Sequence, residues 1–286
     1  MADDTRTRYA FVALCLSFLT PGLGQFYNNE IKKACLVLAL YVSAIVMVFT
    51  PIPKSFFGFS IMGLLWIGSY LYSILESSLG AHRIKRIIRA PYQRWYSYLG
   101  IIVLFQALNI YSFTLLPSAP INTFRIVTAT MEPTFVVGDL IVVDMKFYSR
   151  HSIAQGDLAV FKYSDEPTAS YVHRCLATGG QTVVIRNRIP SVDGKPVWVP
   201  GYNRGLSFAI LPPDSIESNI YPPNAGNGDN YGPVVVPRGK CFMLGDNIAN
   251  CLDSRYRGFV DLDALTGKPL FIYWSSDFAR IGLQFR

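Results

Sequence analysis

Two hydrophobic patterns divide the chain. Up to about residue 116, long apolar runs alternate with short polar joints; beyond it, short β-branched runs alternate with turn residues. The first part holds four apolar segments: roughly Tyr9–Tyr27, broken near its end by Pro21, Gly22 and Gly24; Ala34–Phe49; Phe56–Leu79, with Glu76 near one end; and Tyr98–Leu116. The third and fourth have the length that a bilayer core of about 30 Å demands. In hydrocarbon, such segments satisfy their backbone groups only as helices. Residues 1–117 are therefore expected to form a membrane anchor of three or four transmembrane helices. Asp3 and Asp4 spoil the basic start of a cleavable leader, and further spans follow. From Ile121 the runs VVGDLIVVD, DLAVFKY, YVHRCLA, TVVIR, VVVP, KCFML and PLFIYW predict short antiparallel strands. Residues 118–286 are thus expected to form a mainly-β, barrel-like domain. Within it Ile189–Gly232, rich in Pro, Gly and Asn, predicts long loops or an insertion with a turn at Val192–Lys195.

Charge orients the anchor. Only 16% of residues are charged, against about 25% in a soluble domain. Before Pro117, 10 Lys and Arg face 4 Asp and Glu, a surplus of +6; from Ser118 on the counts are 16 and 15, leaving +1. The basic balance belongs to the membrane half. The second half carries no excess of the kind a nucleic-acid surface needs, so a nucleic-acid partner is not expected. The joint between the third and fourth segments holds Arg83, Lys85, Arg86, Arg89 and Arg94, and Lys32 and Lys33 lie two segments earlier. Lys and Arg collect on the cytoplasmic side. The fourth segment then leaves the cytoplasm, and everything after Pro117 is exported. If the first segment spans, the N-terminus is exported; if not, it is cytoplasmic. Glu76 is expected to reach an interface rather than do chemistry.

Five cysteines and three histidines bound the remaining chemistry. Cys15 and Cys35 sit in apolar runs. Among Cys175, Cys241 and Cys251, an exported domain allows one disulfide, and Cys241–Cys251 would close a short loop. No Cys, His or carboxylate cluster has metal-ligand spacing, so neither a metal nor another cofactor is expected. His82 and His151 read as surface residues.

Four patches carry candidate chemistry: Thr128-Ala129-Thr130-Met131-Glu132-Pro133-Thr134; Gly138-Asp139 leading into IVVD; Gly156-Asp157 leading through LAVFK to Tyr171-Val172-His173-Arg174; and Gly245-Asp246-Asn247 leading to Asp253-Ser254-Arg255-Tyr256. In this order, from about Arg125 to Trp274, they resemble the type I signal peptidases. Two positions depart from the bacterial pattern: Thr130 stands where that family places a nucleophilic Ser, and His173 where it places a Lys. The eukaryotic and archaeal relatives use His there. The segment FLTPGLGQFYNNEIKKA also resembles a small two-span module in which a Pro-Gly-x-Gly turn joins two helices.

The substituted pair keeps its chemical sense. A hydroxyl is a weak nucleophile until a base takes its proton, and an imidazole with an unperturbed pKa of about 6.5 is such a base. On the resemblance, Thr130 is the nucleophile, His173 the general base and Asp253 the acceptor that orients it, with Asp246 second in line. Thr128 assists the oxyanion together with the Thr130 N–H. Arg255 and Asn247 support the loop, and Met131, Pro133 and Phe135 contact substrate. Activity is expected to fade below about pH 6–7 as His173 protonates. The resemblance further implies a multi-pass protein of the plasma (inner) membrane with its catalytic domain on the periplasmic or extracytoplasmic side. Its partners would be the signal peptides of exported preproteins, membrane lipid and the export machinery. Two alternatives stand beside this reading: a catalytically inactive relative that binds or scaffolds at the membrane, and a processing peptidase dedicated to one secretion system.

Overall fold

The structure, a computed structural model, describes residues 5–84, 86–88, 90–115, 119–200 and 210–285. Asp3, Asp4, Lys85, Arg89, the 116–118 boundary and part of the Ile189–Gly232 stretch lie outside them. Two compact units result, Met1–Pro120 and Ile121–Arg286.

The first unit is helical: α1 (Ala10–Leu19), α2 (Leu23–Tyr27), α3 (Ile31–Met47), α4 (Phe56–Arg83) and α5 (Trp95–Leu115). Ser55 starts α4 as a cap, its hydroxyl accepting from Gly58 N at 3.1 Å. The faces of α4 are inverted relative to a helix in water. Ser69, Ser73, Ser77 and Ala81, spaced four apart, are buried, while Leu64, Leu71, Leu75 and Leu79 point outward. Small residues at that spacing let helices approach closely in lipid. Two helices, α4 and α5, are long and apolar enough to cross a membrane. α1 and α3, at 10 and 17 residues, are shorter.

The first apolar segment turns back on itself, Tyr9 N donating to the Tyr27 hydroxyl at 3.3 Å. Gly22 turns the chain at φ 92°, and α2 returns beside α1. Gly24 packs so closely that a Cβ there would lie 2.2 Å from Ser17 Oγ and 2.4 Å from the Ala13 carbonyl. Gln25, fully buried, donates to the Ser73 carbonyl at 2.9 Å and accepts from the Ser73 hydroxyl at 3.0 Å. Both ends of the segment then meet at one end of the helices. Strand β1 (Thr5–Thr7) pairs antiparallel with β2 (Arg86–Ile88) in the α4–α5 joint. Arg8 donates to the Gln93 side chain at 2.8 Å, and Gln93 donates to the Phe26 carbonyl at 2.8 Å. Glu76 is not a lone interfacial group: Lys33 bridges it to Glu30.

The second unit is antiparallel β. Its strands are β3 (Ile121–Arg125), β4 (Leu140–Asp144), β5 (Leu158–Tyr163), β6 (Glu166–Thr178), β7 (Thr182–Arg186), β8 (Ile189–Val192), β9 (Lys195–Pro196), β10 (Tyr231–Val235), β11 (Lys240–Leu244), β12 (Val260–Asp261) and β13 (Leu265–Trp274). Seven form one sheet in the order β12-β11-β6-β5-β13-β4-β3, and four form another in the order β10-β7-β8-β9. Among the described residues no pairing joins β12 to β3, and the strands form an antiparallel sheet without a shown barrel closure. The stretch from Ile189 is not all loop. β8 and β9 form a hairpin whose turn residues Asp193 and Gly194 both take positive φ, 50° and 75°, the two-residue turn that matches strand twist. Val192, Val199, Ile220 and Tyr231 from this stretch fill a core with Phe242 and Leu244 of β11.

Candidate active site

Thr128–Thr134 follows β3 as a tight excursion closed at its base. Ile126 N donates to the Asp139 carbonyl at 2.9 Å, and Gly138 N returns to the Ile126 carbonyl at 2.8 Å. The buried Asp139 carboxylate accepts from Val136 N at 2.9 Å and from Arg280 at 2.8 Å. Burial alone would raise that carboxyl; the Arg280 guanidinium outweighs it and holds the group below the usual range. Arg280 also donates to the Thr134 carbonyl at 2.9 Å. The loop after β11 locks the other side, Asn247 donating to the carbonyls of Thr130 and Ala129, each at 3.0 Å. Thr130 is thus held by its backbone, half-buried, with its hydroxyl 3.1 Å from that of exposed Thr128.

His173 lies on β6 opposite Ala159 of β5, 2% exposed and flanked by the rings of Phe161 and Tyr171. Its Nε2 is 3.3 Å from Cys251 Sγ, and Nδ1 has no hydrogen-bond partner among the described residues. Thr128, Thr130, Met131, His173 and Cys251 line a single cleft of about 810 Å³ within the second unit. The hydroxyl and the imidazole share this cleft, with no hydrogen bond joining them.

Burial pushes the His173 imidazole down to about 4, against the opposing pull of Asp253 and Asp246. The burial shift therefore moves the loss of the base from the pH 6–7 expected of an unperturbed histidine down toward about pH 4. For stability the sign follows from the depressed folded value. Between pH 6.5 and about 4 the unfolded chain takes up a proton that the folded chain refuses. His173 therefore contributes its full stability above about pH 6.5, and that contribution is lost as pH falls toward 4.

Several expected roles change. Asp253, fully buried, makes no hydrogen bond to His173. Its carboxylate accepts from Arg255 Nε and Nη2, both at 2.9 Å, and from the backbone N–H of Arg255 and Gly245. Burial would raise this carboxyl, but Arg255 outweighs it and keeps it ionised below its ordinary value. Asp253 therefore acts on the imidazole through its field rather than a bond. Asp246 is taken by Arg174, at 2.8 and 2.7 Å, and by the Thr134 hydroxyl. Phe135 is fully buried, stacked edge-on against Phe285 with centroids 4.6 Å apart. Neither Phe135, turned into the core, nor Pro133 lines the cleft. Met131 does, although its sulfur also accepts from Asp246 N at 3.5 Å.

Cys251 lines the cleft beside His173, where the sequence points to it only as a possible disulfide partner. It forms no disulfide, nor do Cys175 and Cys241. Gly245 makes its place: a Cβ there would lie 2.3 Å from Cys251 Sγ and 2.8 Å from the Thr130 carbonyl.

The model of the signal peptidase family, peptidase S26, matches residues 93–274. The chain belongs to that family. Among its signal peptidase relatives, the signal peptidase I of Aquifex aeolicus is 29% identical over 196 residues, covering 54% of this chain and 76% of its own. The signal peptidase I of Bacillus caldolyticus is 31% identical over 159 residues, covering 54% and 80%. A crystal structure of a signal peptidase I from Enterococcus faecalis aligns over 41% of this chain and 97% of its own, with 20% identity and a TM-score of 0.31. The chain is therefore a homologue of signal peptidase I hydrolases, with two N-terminal helices of membrane-spanning length followed by an antiparallel β unit.

Proposed function

We propose that this signal peptidase relative is an active membrane-bound endopeptidase that removes signal peptides from exported preproteins. Thr130 Oγ1 attacks the scissile carbonyl. His173 takes its proton and later returns it to the leaving amine, while Thr128 and the Thr130 N–H hold the oxyanion. The observation that carries this reading is the convergence of Thr128, Thr130 and a buried neutral imidazole on one cleft. Catalytic hydrogen bonds are often long before substrate binds. The Thr130 hydroxyl leaves Thr128 for Nε2 when an extended substrate enters and pairs with a strand edge. No cofactor takes part.

On this reading α3, α4 and α5 cross the plasma (inner) membrane, and the basic α4–α5 joint faces the cytoplasm. The N-terminal strand shares that side because it pairs with the joint. The β unit is then periplasmic or extracytoplasmic, beside lipid and the export machinery.

Purified full-length protein in detergent should cleave a preprotein with an Ala-x-Ala site. Its kcat/KM should hold from neutrality to within about one pH unit of the His173 value, then fall through about pH 4. A decline already complete at pH 6 would contradict the depressed His173 value, and a profile flat well below about pH 4 would remove His173 as the base. One observation favours a non-catalytic relative instead: no hydrogen bond links Thr130 to His173 among the described residues. That reading requires preprotein binding without cleavage, by both the natural protein and Thr130→Ser.

A further inference from the structure

The reaction proposed above leaves the charge of the cleft walls without a role. Apart from His173, one basic and one acidic side chain line the cleft: Arg125 of β3, and Glu217 from the stretch between β9 and β10. We propose that Glu217 is a specificity-determining residue whose carboxylate takes the ammonium or guanidinium of a substrate Lys or Arg near the cut. This rests on the peptidase reading above and adds a charge requirement to its substrate.

The Glu217 carboxylate is only half used by the protein. The residue is half-buried, and Oε2 accepts from Gly228 N at 2.8 Å and from the Tyr256 hydroxyl at 3.5 Å. Oε1 has no hydrogen bond or ion pair among the described residues. The seat needs a glycine: a Cβ on residue 228 would lie 2.1 Å from the Tyr256 oxygen and 3.5 Å from Glu217 Oε2.

Buried polar groups hold this seat in place. Glu217 N donates to the Gly226 carbonyl at 3.1 Å, and the Gly228 carbonyl accepts from Arg255. Asn227, fully buried, donates to the carbonyls of Pro212 at 3.0 Å and Ser215 at 2.8 Å. Asp229 is bound by Arg188 Nη2 at 3.0 Å and by Leu211 N at 2.9 Å. A preorganised carboxylate costs an incoming cation little ordering. Charge-assisted hydrogen bonds are roughly twice as strong as neutral ones, while an acidic side chain at the same place is repelled. Arg125 repels a cation on the β3 wall, so the preference is confined to the side of Glu217.

The test uses purified full-length protein and Ala-x-Ala peptides carrying Lys, Gln or Glu at successive positions on either side of the cut. At one position, kcat/KM should be on the order of 10-fold higher for Lys than for Glu, and the ratio should shrink as salt is added. Glu217→Gln keeps an oxygen for Gly228 N–H but not the charge; it should bring that ratio close to one. Glu217→Lys, verified as folded by its thermal melt, should invert it. A carboxylate that only braced its loop would lower cleavage of all peptides alike and leave the ratio unmoved. The same ratio is read as Kd by fluorescence anisotropy of labelled peptides on Thr130→Ala protein. No charge preference at any position, or one that survives Glu217→Gln, would overturn the proposal. Absence of all cleavage would instead sink the peptidase function, and the Kd ratio would still decide for or against Glu217.

Discussion

Thr130→Ala is expected to lower kcat for preprotein cleavage on the order of 10⁴–10⁶-fold, the loss seen when a covalent nucleophile is removed from a working hydrolase site. KM and thermal stability should barely move. The Thr130 side chain is half-buried and its hydroxyl bonds only the exposed Thr128 hydroxyl, so the stability change should stay within about 0.5 kcal/mol. Its backbone, held by Asn247, is unaffected by the substitution. Thr130→Ser should match or exceed the natural rate, since the hydroxyl remains and the methyl that restricts χ1 is gone. Complementation of a host lacking its own signal peptidase provides the same comparison in cells. Cleavage by Thr130→Ala equal to the natural protein's would remove Thr130 from the chemistry.

Arg255→Leu is expected to destabilise the β unit by about 3–5 kcal/mol, the usual cost of breaking one partner out of a buried ion pair. Arg255 and Asp253 are both at 0% exposure. The guanidinium makes two bonds to Asp253 and donates to the carbonyls of Ile248, at 2.8 Å, and Gly228. Without it the buried Asp253 carboxylate keeps the backbone N–H groups of Gly245 and Arg255 and the Cys251 thiol, and its pKa should rise. The double change Asp253→Leu with Arg255→Leu should recover part of the loss, because no unpaired charge remains. Thermal denaturation of the full chain checks this; an Arg255→Leu midpoint equal to the natural one would contradict the role given to the pair. Asp253 also favours the protonated imidazole through its charge, so the double variant should hold His173 neutral to still lower pH.

What could be read from the sequence follows the range of the forces involved. α4 and α5 were legible because length and apolarity alone decide them. The strand runs were legible too: DLAVFKY became β5, KCFML β11 and PLFIYW β13. The return of α2 beside α1 was not, because it depends on Gln25 meeting Ser73 across 48 residues. The turn of the β8–β9 hairpin at Val192–Lys195 was legible, but the strands beside it were not, because this Pro- and Gly-rich stretch has too few apolar positions to show a period. At the site, the Thr130 and His173 positions were visible in ordered motifs. Their partners were not. Cys251 reaches His173 across 78 residues, and composition favours reading a cysteine of an exported domain as half of a disulfide. Asp253 carries the residue type an orienting acceptor needs, but Arg255 two positions on claims its carboxylate. A motif fixes order along the chain and not the direction of a side chain, and the Phe135 ring turns inward to meet Phe285.

The proton-transfer couple of Thr130 and His173 is tested most directly by locating the acyl intermediate. Full-length protein would be mixed with an Ala-x-Ala preprotein, quenched in acid during the first turnover, digested and mapped by mass spectrometry. The account requires the signal-peptide acyl group as an ester on the Thr130 oxygen, absent from Thr130→Ala. An acyl group found on Cys251 instead, or persisting in Thr130→Ala, would contradict it.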